Sequence, residues 1–90
     1  MNTFSKQPAE VLDYTFNIEK WMASGDTVQS ATATSTPVGL TNYVTNGTTT
    51  SPSVWASGGA DGKLYKVTLT VVTADGRTKE FEMKLQVAEL

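Results

Sequence analysis

The chain contains no histidine and no cysteine. The usual general bases, thiol nucleophiles and zinc ligands are therefore missing. Three loop aspartates, Asp26, Asp61 and Asp75, are the remaining candidates for a cation, here calcium. Their spacing fits no EF-hand or repeat calcium loop, and Asp in glycine-containing turns follows from turn chemistry alone. The run Gly58-Gly59-Ala60-Asp61-Gly62 lacks the Lys and Ser/Thr of a phosphate loop and leads into a strand rather than a helix. Glu80 and Glu82 lie on one strand face beside Lys84 and Lys66, which describes a salt-laced surface rather than a general acid and base. Trp21, Trp55 and Tyr43 offer a sugar-stacking platform, but a small sandwich needs large aromatics inside, and core placement is the expectation for both tryptophans. No catalytic residue, cofactor or metal ligand emerges.

The element that must position everything else runs from Ser57 to Val87. Tyr65, Val67, Leu69 and Val71 alternate with Lys66, Thr68, Thr70 and Val72. After a turn, Phe81, Met83, Leu85 and Val87 alternate with Glu80, Glu82, Lys84 and Gln86. Such period-two patterns mark strands with one buried and one wet face. A two-residue Asp75-Gly76 turn pairs Leu69 with Glu82 and mixes apolar with charged side chains on one face. A three-residue loop, Ala74-Asp75-Gly76, pairs Leu69 with Phe81, Val67 with Met83 and Tyr65 with Leu85. Parity therefore selects the three-residue loop, with Gly76 in the left-handed region.

Upstream, residues 1–10 read as a polar, extended N-terminal arm, and residues 11–90 as one domain. Leu12 to Ile18 alternates as a first strand. Glu19 to Ala23 breaks the alternation in a 3₁₀ turn that drops Trp21 onto the core edge. Thr27–Thr36, Leu40–Thr45 and Ser53–Ser57 follow as strands, separated by Pro37-Val38-Gly39 and by Asn46-Gly47 with its threonines. Six to seven short antiparallel strands at this spacing predict an immunoglobulin-like two-sheet β-sandwich. Tyr65, just after the glycine loop, is either a tyrosine corner bonded to backbone in or near Gly58–Gly62, or one more core aromatic.

Ninety residues bury a modest core, and no disulfide or metal can staple it. A net charge of −2 gives no reason to expect nucleic acid or an anionic membrane as partner. MNTFSKQPAE has no apolar segment of a secretory leader, and no stretch approaches a membrane span, so a soluble protein made in the cytoplasm is expected. From Thr27 through Ala60, 34 residues carry no charge and 14 are Ser or Thr. Sheets usually guard free edges with Lys, Pro or a bulge. This middle is either a surface covered by partner subunits or a neutral solvated face guarded by Pro37 and Pro52.

The order of motifs resembles a known family. Lys6-Gln7-Pro8-Ala9-Glu10-Val11-Leu12-Asp13-Tyr14 and Trp21-Met22-Ala23-Ser24-Gly25-Asp26-Thr27-Val28 are similar to the opening of phage fiber–tail adaptor proteins. Pro37-Val38-Gly39-Leu40-Thr41, then Val54 to Thr68, then Thr73 to Val87 continue the pattern in the same order. Met22 stands where the family often has Leu, and Phe16-Asn17-Ile18 replaces a more acidic segment. The resemblance implies a non-enzymatic virion component of the tail, in several copies, touching tail and fiber proteins and copies of itself. Residues expected at partner contacts are Phe4, Lys6, Pro8, Tyr43 and Thr49; those expected to hold the structure are Trp21, Trp55, Tyr65, Gly76 and Phe81. On this basis the arm reaches a neighbour, and deleting residues 2–9 is expected to spare the fold while abolishing incorporation. A capsid decoration or cement protein and a carbohydrate-binding module are the alternatives.

Overall fold

A computed structural model describes residues 2–89, with the side chains from Phe4 onward. Seven strands form two sheets: β1 (Asn2–Lys6), β2 (Leu12–Thr15), β3 (Val28–Thr36), β4 (Leu40–Thr45), β5 (Ser53–Gly58), β6 (Leu64–Thr73) and β7 (Thr78–Val87). One sheet runs β1-β7-β6-β3 and the other β2-β5-β4. The chain changes sheet between β1 and β2, β2 and β3, β3 and β4, and β5 and β6, the interleaving expected of an immunoglobulin-like sandwich. A 3₁₀ turn at Glu19–Trp21 falls where the alternation breaks.

The β6–β7 hairpin has the register that parity requires. Leu69 faces Phe81, Val67 faces Met83 and Tyr65 faces Leu85. Thr73 and Arg77 close the loop, with the Thr73 N–H donating to the Arg77 carbonyl at 2.8 Å. Gly76 has φ +89°, a conformation that costs a residue with a Cβ and glycine little. From this hairpin come the fully buried Val67, Leu69, Val71, Met83, Leu85 and Val87, with Val54, Ala56 and Ile18 opposite. The inner faces of the two sheets meet across these side chains, and their removal from water is the main stabilising force.

Tyr65 is a tyrosine corner. It is 1% exposed, and its Oη accepts the Ala60 N–H at 2.9 Å. Gly39 closes over the phenol: a Cβ there would lie 2.8 Å from the Tyr65 Oη, and its φ is +139°. The ring thus fills a slot that only glycine leaves open.

Three expectations need correction. Residues 2–6 are extended but do not form a separate arm. They are strand β1, paired in parallel with β7 from Asn2↔Met83 to Lys6↔Val87. The sheet is therefore mixed rather than wholly antiparallel, because β1 adds to the free edge of β7 in its direction. The first strand of the domain proper, β2, ends at Thr15, yet Phe16 and Ile18 still donate to the carbonyls of Pro52 and Thr50 at 2.9 Å each. Trp55 is not in the core. Val54 and Ala56 fill the inner face with no exposure, and alternation then turns Trp55 outward.

Charge is divided between the flanks of the sandwich. β3 and β4, the edge strands of the two sheets, lie side by side and are bridged where Asn42 Nδ2 donates to Ser35 Oγ at 2.9 Å. Together with β5 they carry the uncharged middle of the chain on one contiguous flank. The opposite flank, β1, β2 and β7, carries Lys6, Asp13, Glu80, Glu82 and Lys84.

Candidate partner-contact surfaces

The outer face of the β2-β5-β4 sheet presents an aromatic pair. Tyr43 on β4 and Trp55 on β5 are direct cross-strand partners. Their rings are parallel within 2° at a centroid distance of 5.8 Å. Tyr43 is 51% exposed, and the Trp55 indole N–H donates to Thr45 Oγ1 at 3.0 Å. Thr41, Thr45 and Thr15 flank the pair with short, exposed hydroxyl side chains, and the exposed Asp13 on β2 is the cross-strand partner of Trp55 on its other side. Tyr and Trp are enriched at binding hot spots, since they cover large area for little lost rotamer freedom.

A second surface opens between β1 and β2. On the other flank β3 and β4 close the two sheets together, but here the seam stays open as a cleft of about 450 Å³. Phe4 stands at its mouth, 37% exposed, with its ring 4.9 Å from that of Tyr14. Tyr14, Phe16 and Met83 form the apolar wall, and Asp13 and Glu82 the rim. Burial first, and then the charges of Glu10 and Asp13, push the Tyr14 phenol above its ordinary pKa. Its Oη is shielded from water and has no hydrogen-bond partner among the described residues.

The other residues expected at contacts separate into two groups. Thr49 is exposed in the β4–β5 loop, where its hydroxyl donates to the Asn46 carbonyl at 2.8 Å. Lys6 is not a contact residue in this fold. It is 2% exposed, and its ammonium donates to the carbonyls of Gln7 at 2.6 Å, Gly58 at 2.7 Å and Pro8 at 3.2 Å. Desolvation lowers its pKa below the ordinary lysine value, with Glu10 opposing the fall. Pro8 is half-buried and engaged through that carbonyl, so it belongs to the same clasp. Lys6 ties the end of β1 and the following turn to the end of β5.

Of the residues expected to hold the structure, Tyr65 is buried at the corner, Gly76 takes the left-handed conformation of the turn, Phe81 packs against the core, and the half-buried Trp21 meets Phe81 edge-on at 6.0 Å. Among the described residues no three potential metal ligands gather, and the loop aspartates Asp26 and Asp61 accept backbone N–H groups. Asp61 accepts the Glu89 N–H at 3.0 Å. Asp26 instead anchors the hairpin turn. Its carboxylate accepts the N–H groups of Thr27 at 2.9 Å and Asp75 at 3.1 Å, and the Arg77 guanidinium at 3.0 Å. Desolvation acts to raise its pKa, but the Thr73 hydroxyl, these two N–H groups and Arg77 outweigh it and hold the carboxyl below its ordinary value. Sequence reasoning missed this anchor, although Asp26 and the Ala74-Asp75-Gly76 loop were both read as turn elements.

Comparison with known proteins adds the following. A family model described as podophage GP4 fiber-tail adaptor protein gp77 matches residues 6–86. No curated protein matches the chain significantly. Among solved structures, the solution structure of the PKD domain from KIAA 1837 protein superposes with a TM-score of 0.54 at 18% identity, over 98% of this chain and 79% of that one. At that identity the likeness concerns the sandwich fold alone.

Proposed function

The chain belongs to the podophage fiber–tail adaptor family, and from that premise we propose that it is a virion structural protein joining tail to fiber through protein–protein contacts, with no chemistry of its own. The observation that carries the contact mechanism is the exposed, parallel Tyr43–Trp55 pair on a hydroxyl-rich sheet face with Asp13 at its β2 side. A partner covering this face removes two large rings from water and meets one carboxylate, Asp13, which must be paired or kept solvated. The uncharged flank formed by β3, β4 and β5 extends that surface and supports packing against further copies of the chain or against neighbouring tail proteins.

The test is assembly. Particles produced with Tyr43→Ala/Trp55→Ala chain, a change on the outer face that leaves Val54 and Ala56 in place, are expected to lack fibers by electron microscopy. Fully fibered particles carrying the variant would refute the role given to this face. Density for the wild-type chain on the capsid shell rather than the tail would refute the adaptor role itself and favour a decoration protein.

A further inference from the structure

The outer edge of β2 is unpaired, and its bonding groups can be assigned. Phe16 and Ile18 direct their N–H groups at Pro52 and Thr50, toward the β5 side. Bonding direction alternates along a strand, so Asp13 and Thr15 direct both N–H and C=O away from β5, into the seam. Among the described residues no strand lies against that edge. The cleft beside it has an apolar wall, and the orphaned Tyr14 hydroxyl is a donor without an acceptor. Buried polar groups in native proteins are almost always paired, so this one calls for a partner group.

We propose that the seam receives an extended segment of a partner protein, which adds to the outer edge of β2 as a further strand of the β2-β5-β4 sheet. The segment alternates apolar residues, which enter the cleft against Phe4, Tyr14 and Phe16, with Lys or Arg residues facing the rim. Main-chain bonds to Asp13 and Thr15 supply affinity, and the pockets for alternate side chains supply selectivity. A backbone carbonyl of the segment accepts the Tyr14 hydroxyl.

Charge selects the partner. Asp13 forms no salt bridge among the described residues, and Glu10 lies close enough to raise the Tyr14 pKa. Glu82 is bridged to Lys66 at 3.2 Å, so it contributes less. The rim is acidic on balance and favours a basic strand. A second copy of this chain is a poor occupant: antiparallel addition of β2 to β2 about a two-fold axis brings Asp13 near its own copy, and like charges across a ladder destabilise it. Because the partner is taken to be a tail or fiber protein, the proposal rests on the adaptor reading.

Two variants at one exposed position isolate the edge. Asp13→Pro removes an outward N–H and leaves the β2–β5 ladder intact, while Asp13→Asn removes only the charge. Binding of full-length wild-type chain to the purified fiber protein and the purified tail protein of the same phage is measured by calorimetry. Amide exchange is followed in the complex. The expected result is protection of the Asp13 and Thr15 amides on binding, with affinity about tenfold lower for Asp13→Pro. Asp13→Asn should weaken binding less and reduce its salt dependence. Wild-type affinity in Asp13→Pro, or no added protection, overturns the seam proposal and leaves the adaptor reading standing. Protection that appears with chain concentration alone assigns the seam to a second copy and overturns it too. Failure of wild-type chain to bind either protein removes the adaptor reading, and this proposal with it.

Discussion

Replacement of Lys6 by Met tests whether β1 belongs to the fold. The side chain is 2% exposed and its ammonium holds three carbonyls. Met keeps most of the stem's packing volume, so the loss falls on hydrogen bonding. The Gln7 carbonyl retains the Glu10 N–H at 3.1 Å. The carbonyls of Gly58 and Pro8 lose a charged donor in a partly shielded place. At about 1 kcal/mol for each acceptor, the change costs about 2 kcal/mol. Relief from desolvating the ammonium acts in the opposite direction and sets this below the cost of breaking a buried ion pair. A domain of this size loses roughly 4–8 °C in Tm per kcal/mol, so a fall of about 10 °C is expected in thermal unfolding followed by circular dichroism. A Tm within about 2 °C of wild type, or above it, would refute the structural role given to the clasp.

Other expectations follow from the same geometry. Tyr65→Phe leaves the Ala60 N–H without its acceptor at the corner and should cost about 1–2 kcal/mol in urea unfolding; Gly39→Ala, which sets a Cβ against the Tyr65 hydroxyl, should destabilise the same corner. Asp26 has its pKa lowered by folding, so its contribution is fully present above the ordinary aspartate value and is lost as pH falls through the lower folded value. The Tm difference between wild type and Asp26→Asn should therefore shrink toward zero on acidification; a difference independent of pH would refute the anchor. Trp55 should be quenched by acrylamide in the free chain and protected in assembled particles, read in a Trp21→Phe background. Deletion of residues 2–9 should unfold or strongly destabilise the domain, because it removes β1 and Lys6 together; a deletion variant with wild-type Tm would restore the picture of a separate arm.

The hairpin was legible because two faces of unlike polarity leave only one register in which apolar side chains share a side. Leu69 with Phe81 and Val67 with Met83 follow from that condition alone. Tyr65 was legible as one of two possibilities, and the Ala60 bond decides between them. Lys6 was not legible. Its partners are backbone carbonyls, which leave no trace in side-chain identity, and Gly58 is far along the chain. Nothing in Asn-Thr-Phe-Ser-Lys distinguishes a strand that pairs in parallel from an extended arm, since both are polar with one aromatic. Trp55 was misplaced by a preference for large aromatics in the core, although Ser53 and Ser57 on either side of it share its parity and oppose Val54 and Ala56. In a narrow sandwich the smaller pair fills the inner face, and the tryptophan goes to the outer face beside Tyr43.

The parallel pairing of β1 with β7 has a mechanical consequence. Asn2 lies beside Met83 and Lys6 beside Val87, so the start of one strand and the end of the other lie at opposite ends of the paired stretch. Tension applied between residue 2 and residue 87 pulls the two strands along their length in opposing directions. The ladder bonds are then loaded together in shear instead of being opened one after another, as in a hairpin peeled from its ends. The Lys6 clasp sits at the end of that ladder and links it to the second sheet through Gly58. On the proposed adaptor role, load that enters through the first and last strands of the chain meets a ladder arranged to resist it.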